Sequence, residues 1–159
     1  MVDRIDSRTS VALKQWPIAL LRIYAGAFFV YNGVGKLRHE DFAAALSGFL
    51  NSQLEQGFSF YRPFIESAVL PNIQMFAALV SWGELLIGLA LIVGLATRYA
   101  AFVGAFMVLN FWFAKGLPVL AGANHDVAWL VVLIALGFIP AGKIAGLDDG
   151  LSDRLPFLR

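Results

Sequence analysis

The chain has no cysteine among its 159 residues, and this absence excludes several common chemistries at once. Without thiolates the protein can form no disulfide, no iron–sulfur cluster, no thiolate metal site and no CxxC redox pair. Any redox function must therefore use an electron carrier supplied from elsewhere.

Charged residues are also scarce. They make up 14% of the sequence against 59% hydrophobic residues, and the mean hydropathy is +0.72. This leaves too little polar surface for a soluble domain of this size, so we expect an integral membrane protein in contact with the lipid bilayer. The formal net charge of +1 provides no basic surface for a nucleic-acid partner.

Several motifs of catalysis and cofactor binding are missing as well. The sequence has no phosphate-binding glycine loop, no HExxH, no dinucleotide fingerprint and no Ser/His/Asp order. We therefore expect no bound nucleotide. We also expect no bound haem, because both histidines lie outside the apolar runs.

What the sequence does contain is a series of long apolar runs. They predict an all-α fold in one domain, residues 1–159. This fold is an integral membrane four-helix bundle with spanning helices at about 16–36, 72–96, 98–115 and 125–147. The last apolar run stops at Ile139, so the fourth helix reaches spanning length only if it continues, kinked, through Pro140.

The distribution of Lys and Arg predicts the orientation. With a cytoplasmic N-terminus, seven basic residues lie inside and four outside, which favours both termini in the cytoplasm of a bacterium and a multi-pass protein of its inner membrane. The seven are Arg4, Arg8, Lys14, Arg98, Lys143, Arg154 and Arg159, and the four are Lys36, Arg38, Arg62 and Lys115.

The outer connection between the first two spanning helices has its own pattern. Phe42, Leu46 and Leu50 follow helical spacing behind Glu40 and Asp41, which are suited to cap a helix. One or two interfacial helices are expected here. They either cover the bundle or form a lid or docking face for a partner.

Glu84 is the strongest candidate site residue, because a carboxylate near the middle of an apolar run is costly without a partner. At about 1.5 Å per residue, Asn110 lies level with Glu84, and the long side chain of Arg22 can reach towards it. Lys36 and Asn32 share one face of the first helix. The predicted catalytic residues are Glu84, Arg22 and Lys36, and the predicted cofactor-binding residues are Asn110, Asn32 and Trp82. The alternative is that these polar groups only hold the helices together.

No metal site is expected. The weak candidates are His39, His125 and Asp126, with Glu40 as a fourth, and all would have to converge at the outer face. Asn124 and Asp126 are more typical of a helix N-cap.

The sequence resembles the DoxX family, and specifically the DoxD type of small subunit of thiosulfate:quinone oxidoreductase, over roughly residues 20–151. The similarity lies in LLRIYAGAFFVYNGVGKL, in WGELLIGLALIVGLATRYAAFVGAFMVLNFWFAKG and in AGKIAGLDDGL. The resemblance implies a four-helix plasma-membrane protein, tied to quinone-linked sulfur oxidation in some members and to oxidative-stress complexes in others.

Three functions follow as hypotheses. The first is a quinone-linked redox subunit of thiosulfate or other sulfur-compound oxidation, with quinone as a diffusible co-substrate. The second is a non-catalytic membrane anchor or accessory subunit. The third is a small-solute or proton pathway, which lacks the inverted repeats typical of transporters. In each case a protein partner subunit or a homo-oligomer is expected.

Overall fold

The computed structural model describes the backbone of residues 2–151 and the side chains of residues 15–151. Over this part the chain is helical, without a strand. The main helices are α1 (Val2–Arg38), α2 (Phe42–Gln53), α3 (Arg62–Phe64), α4 (Ile73–Val93), α5 (Thr97–Lys115), α6 (His125–Phe138) and α7 (Leu147–Leu151). The basic residues Arg4, Arg8, Lys14, Arg154 and Arg159, used above for orientation, lie outside the described side chains.

Two helical stretches are long and apolar enough to cross a membrane. They are Gln15–Arg38, with a mean hydropathy of 1.3, and Arg62–Val93, with 2.1; the latter joins α3 to α4 through a π turn (Ile65–Val69) and a 3-10 turn (Leu70–Asn72). Only 33% of each apolar window is buried inside the protein. The rest of these windows faces outward, as in a helix that contacts lipid rather than in the core helix of a soluble protein.

The other two predicted spanning helices differ from expectation. Helix α5 covers the predicted range. Its charged ends, Arg98 and Lys115, lower its mean hydropathy, so it is not one of the two stretches above. Helix α6 ends at Phe138, because Ile139 adopts extended backbone (φ −87°, ψ 140°), as residues before proline prefer. The predicted kinked continuation through Pro140 to residue 147 is therefore wrong. The chain instead forms a 3-10 turn, Ala141–Lys143, and then α7.

The helices pack in the order α1, α4, α5, α6, with α2 lying across α4 and α5. Small residues let α1 approach α4 closely. A Cβ on Gly26 would lie 2.7 Å from the carbonyl oxygen of Gly88, and one on Gly33 would lie 2.7 Å from the backbone nitrogen of Leu85. Neither position can take a larger side chain without a shift of α4, so both glycines are packing positions.

Two apolar clusters fill the interior. The larger one lies between α1, α4, α5 and α6, and it includes Phe29, Leu91, Val108 and Leu133. The smaller one lies under α2 at one end of the molecule and contains Leu50, Ile65, Val69 and Ala114. Helix α2 begins as predicted, with Asp41 as its N-cap: the carboxylate accepts a hydrogen bond from the backbone nitrogen of Ala44 at 2.9 Å.

Candidate functional site

Glu84 forms an ion pair with Lys36. Glu84 lies on α4 and is only 4% exposed, and the Lys36 ammonium on α1 donates a hydrogen bond to Glu84 Oε2. The contact follows from the packing of Gly33 against α4, because Lys36 lies three residues further along the same face of α1. The predicted contact of Glu84 with Arg22 or Asn110 is wrong: both of those side chains bind elsewhere.

The Lys36–Glu84 pair lies in the wall of a cavity of about 450 Å³. Helix α2 covers this cavity, and α1, α4, α5 and α6 form its walls. Its lining is mainly apolar and aromatic, with a few polar groups. The principal lining residues are Phe28, Phe29, Asn32, Lys36, Phe42, Leu46, Phe49, Val80, Glu84, Phe111, Lys115, His125, Asp126 and Trp129.

A second ion pair lines the same cavity and joins the other two walls. Lys115, at the end of α5, donates to both carboxylate oxygens of Asp126 in the first turn of α6, at 3.0 and 2.9 Å. The adjacent His125 is exposed and also lines the cavity. Sequence reasoning had missed Lys115 as a site residue, although a lysine ending one helix and an aspartate starting the next were the available signal.

The tryptophan at the site is Trp129 rather than the predicted Trp82. Trp129 stacks on Phe28 with ring centroids 4.2 Å apart and lines the cavity. Trp82 is 54% exposed on the outer surface of α4 and lies outside the cavity lining. The sequence around a tryptophan that faces lipid looks the same as that around one that faces a cavity. Only the rotation of α4 about its axis decides which of these two positions Trp82 occupies.

Asn32, which is predicted to bind a cofactor, lies in the cavity wall one turn from Lys36, and its amide donates to the carbonyl oxygen of Phe28 at 2.8 Å. Asn110 lies elsewhere. Its side-chain oxygen accepts a hydrogen bond from the Tyr61 hydroxyl, and its amide donates to the carbonyl oxygen of Phe106 at 2.6 Å. Burial raises the pKa of the Tyr61 hydroxyl, which keeps it protonated as the donor. Asn110 therefore ties α5 to the connection before α3.

Arg22 holds the opposite end of the molecule together. It lies about 21 Å from Lys36 along α1, is fully buried, and donates to the carbonyl oxygens of Ala141 at 3.3 Å and Ala145 at 3.0 Å. Asp148 lies close enough for an electrostatic interaction with Arg22, and its carboxylate accepts hydrogen bonds from the backbone nitrogens of Ala96 and Thr97 at 2.7 and 3.1 Å. These contacts indicate that Arg22 stabilises the fold at this end, and it does not line the cavity.

The weak metal candidates do not come together. His39 Nδ1 accepts a hydrogen bond from the backbone nitrogen of Asp41 at 3.3 Å, and Asp126 is paired with Lys115. Across the described residues, no three His, Asp or Glu side chains lie close enough to hold a metal ion. Asn124 is the N-cap residue of α6 by position, but its amide donates to the carbonyl oxygens of Leu117 and Pro118 instead of capping.

The DoxX family model matches residues 18–116. The chain belongs to the DoxX family. The matched range includes both members of the Lys36–Glu84 pair, and it ends beside Lys115. Family membership and the two apolar helices together indicate a membrane protein. Comparison with curated proteins and with solved structures finds no match.

Proposed function

We propose that this protein is a quinone-linked redox subunit of the membrane and that the cavity under α2 is its quinone site. The observation that carries the proposal is the Lys36–Glu84 ion pair in an aromatic cavity of about 450 Å³. Ligand sites are typically of this size, mostly apolar, and supplied with a few placed polar groups. A quinone ring suits such a site, because its faces stack on aromatic rings and its two carbonyl oxygens accept hydrogen bonds.

The ion pair supplies the chemistry that quinone reduction requires. Reduction consumes two electrons and two protons, and negative charge builds on the carbonyl oxygens before the protons arrive. The Lys36 ammonium would donate a hydrogen bond to one carbonyl oxygen and offset that charge, and Glu84 would relay the two protons in turn, taking each from the aqueous side. Lys115, Asp126 and His125 provide a second set of polar groups in the same cavity. The exposed His125 offers a proton route to the surface.

The electrons come from outside this chain, since its residues carry no redox group. Similarity to the DoxD type of subunit favours thiosulfate or another reduced sulfur compound as the electron donor, oxidised by a partner subunit. In this proposal α1, α4 and α5 cross the inner membrane of a bacterium, and the segment from α6 through the 3-10 turn to α7 crosses back. Both termini are cytoplasmic, which places the cavity at the outer face.

A second function, that of an anchoring or accessory subunit, has its own support. Aromatic residues of the connection before α3 form a cluster with the end of α5, and Phe60 is 63% exposed there. Leu120, in the next outer loop, is 95% exposed. Apolar side chains exposed at one end of the molecule are typical of a protein contact.

Changing Glu84 to glutamine separates the two functions. Glu84→Gln keeps the size and still accepts a hydrogen bond from Lys36, but it cannot exchange a proton. We expect thiosulfate-dependent or sulfite-dependent quinone reduction in membranes to fall at least about a hundredfold, with normal protein accumulation. The matched control is Glu66→Gln, which alters an exposed glutamate paired with Arg62 and is expected to retain activity.

Full activity in Glu84→Gln would refute the acid/base role. If wild-type membranes showed no such activity while other subunits copurified stably, the anchoring function would be favoured instead.

A further inference from the structure

A second, more open space lies directly beside the cavity. It is a groove of about 780 Å³ between α1 and α2 on the outside of the molecule. Four residues line both the groove and the cavity: Asn32, Lys36, Phe42 and Ala45. These residues form a wall common to the two spaces, and a molecule that occupied both would have to pass between their side chains.

The groove changes in polarity along α1. Its deeper part is lined by Ala27, Val30 and Val34, together with Ile92 of α4. Its outer end carries Lys36, Arg38 and His39. From Ala27 to Val34 this mainly apolar part, which also includes Tyr31 and Asn32, extends for about 11 Å along the helix. This length and polarity suit a flexible hydrocarbon chain that lies along α1 and is attached to a polar ring at the Lys36 end of the groove.

We propose that the groove binds the hydrocarbon tail of a long-chain quinone whose ring occupies the cavity. This inference rests on the proposed function and narrows its substrate to quinones with an isoprenoid or alkyl tail. Phe42 lies at the boundary between the two spaces, with its ring centroid 5.9 Å from the Lys36 ammonium. The ring of the quinone lies on the inner side of Phe42 and the tail on the outer side.

Gly35 allows a direct test, because it lines the groove but not the cavity and a Cβ added there meets no atom within 4 Å. Gly35→Leu should therefore fill the groove without disturbing the packing of α1 on α4. Gly48 of α2 is the matched control: it is also open around its Cβ and lines neither space. Gly35→Ala is a smaller substitution at the same position and fills less of the groove.

The measurement is quenching of tryptophan fluorescence in detergent-purified protein in which Trp16, Trp82 and Trp112 are changed to phenylalanine, so that the signal comes from Trp129 in the cavity wall. Two probes with the same benzoquinone ring are titrated, one with a decyl tail and one with a methyl group. For Gly35→Leu we expect the Kd of the decyl quinone to rise about tenfold, because several methylene groups lose their contacts. The Kd of the methyl quinone should stay within about twofold, and Gly48→Leu should change neither Kd.

The possible outcomes distinguish this inference from the function on which it rests. If the wild-type protein binds both probes and Gly35→Leu changes neither Kd, the tail lies elsewhere and the inference is overturned. An equal loss for both probes would also overturn it, since the change would then act on the ring. Unchanged binding together with loss of copurified phospholipid would assign the groove to a lipid acyl chain. If neither probe binds to the wild-type protein, the quinone function itself fails.

Discussion

Changing Arg22 to methionine is expected to destabilise the protein by about 3–5 kcal/mol. The substitution keeps much of the side-chain volume but removes the guanidinium that donates to the carbonyl oxygens of Ala141 and Ala145. It also leaves the carboxylate of Asp148, which is 5% exposed, without its buried positive neighbour. The loss should appear as a large decrease in the free energy of unfolding, measured by reversible unfolding in mixed detergent micelles.

The control for this change is Arg98→Met at the same end of the molecule. Arg98 is exposed at the start of α5, and surface substitutions of this kind usually change stability by no more than about 0.5 kcal/mol. If Arg22→Met lowered the free energy of unfolding no more than Arg98→Met does, Arg22 would not hold the segment after α6 in place.

The second large effect is expected at the Lys36–Glu84 pair. Lys36→Met leaves a carboxylate that is 4% exposed without its partner, so we expect a cost of about 3 kcal/mol. The double change Lys36→Met with Glu84→Leu removes both charges and should restore most of this loss. The coupling energy should be about 2 kcal/mol or more in a double-mutant cycle.

The exposed Arg62–Glu66 pair, four residues apart on one helix, supplies the control cycle. It should show little coupling, because water and salt screen an exposed pair. Additive losses at Lys36 and Glu84 would contradict the ion pair.

The sequence predicted that Glu84 has a buried polar partner, but it did not identify that partner as Lys36. An apolar run around one carboxylate is a strong signal, because the cost of burial is large. The depth estimate that paired Glu84 with Arg22 and Asn110 used only the rise along each helix. It took no account of rotation about the helix axis, which turns Asn110 towards Tyr61 and places Trp82 on the outer surface.

The position of Arg22 depends on a contact across 119 residues, between α1 and the turn at Ala141. That contact exists because α6 stops before Pro140 and the chain folds back. Once the sequence was interpreted as a continuous kinked helix, the carbonyl oxygens that bind Arg22 could not be foreseen. The pairing of Lys115 with Asp126 is also a tertiary contact, between the ends of two helices. It cannot be predicted from the periodicity of either helix.

Photoaffinity labelling with an azidoquinone in native membranes tests most directly whether the cavity under α2 binds a quinone. Labelled peptides would be located by mass spectrometry, with unmodified long-chain quinone as competitor. We expect label, lost on competition, on residues of the cavity wall such as Phe49 in α2 and Trp129 in α6. Label confined to surface positions such as Trp82 and Phe106, and insensitive to competition, would contradict a quinone site in this cavity.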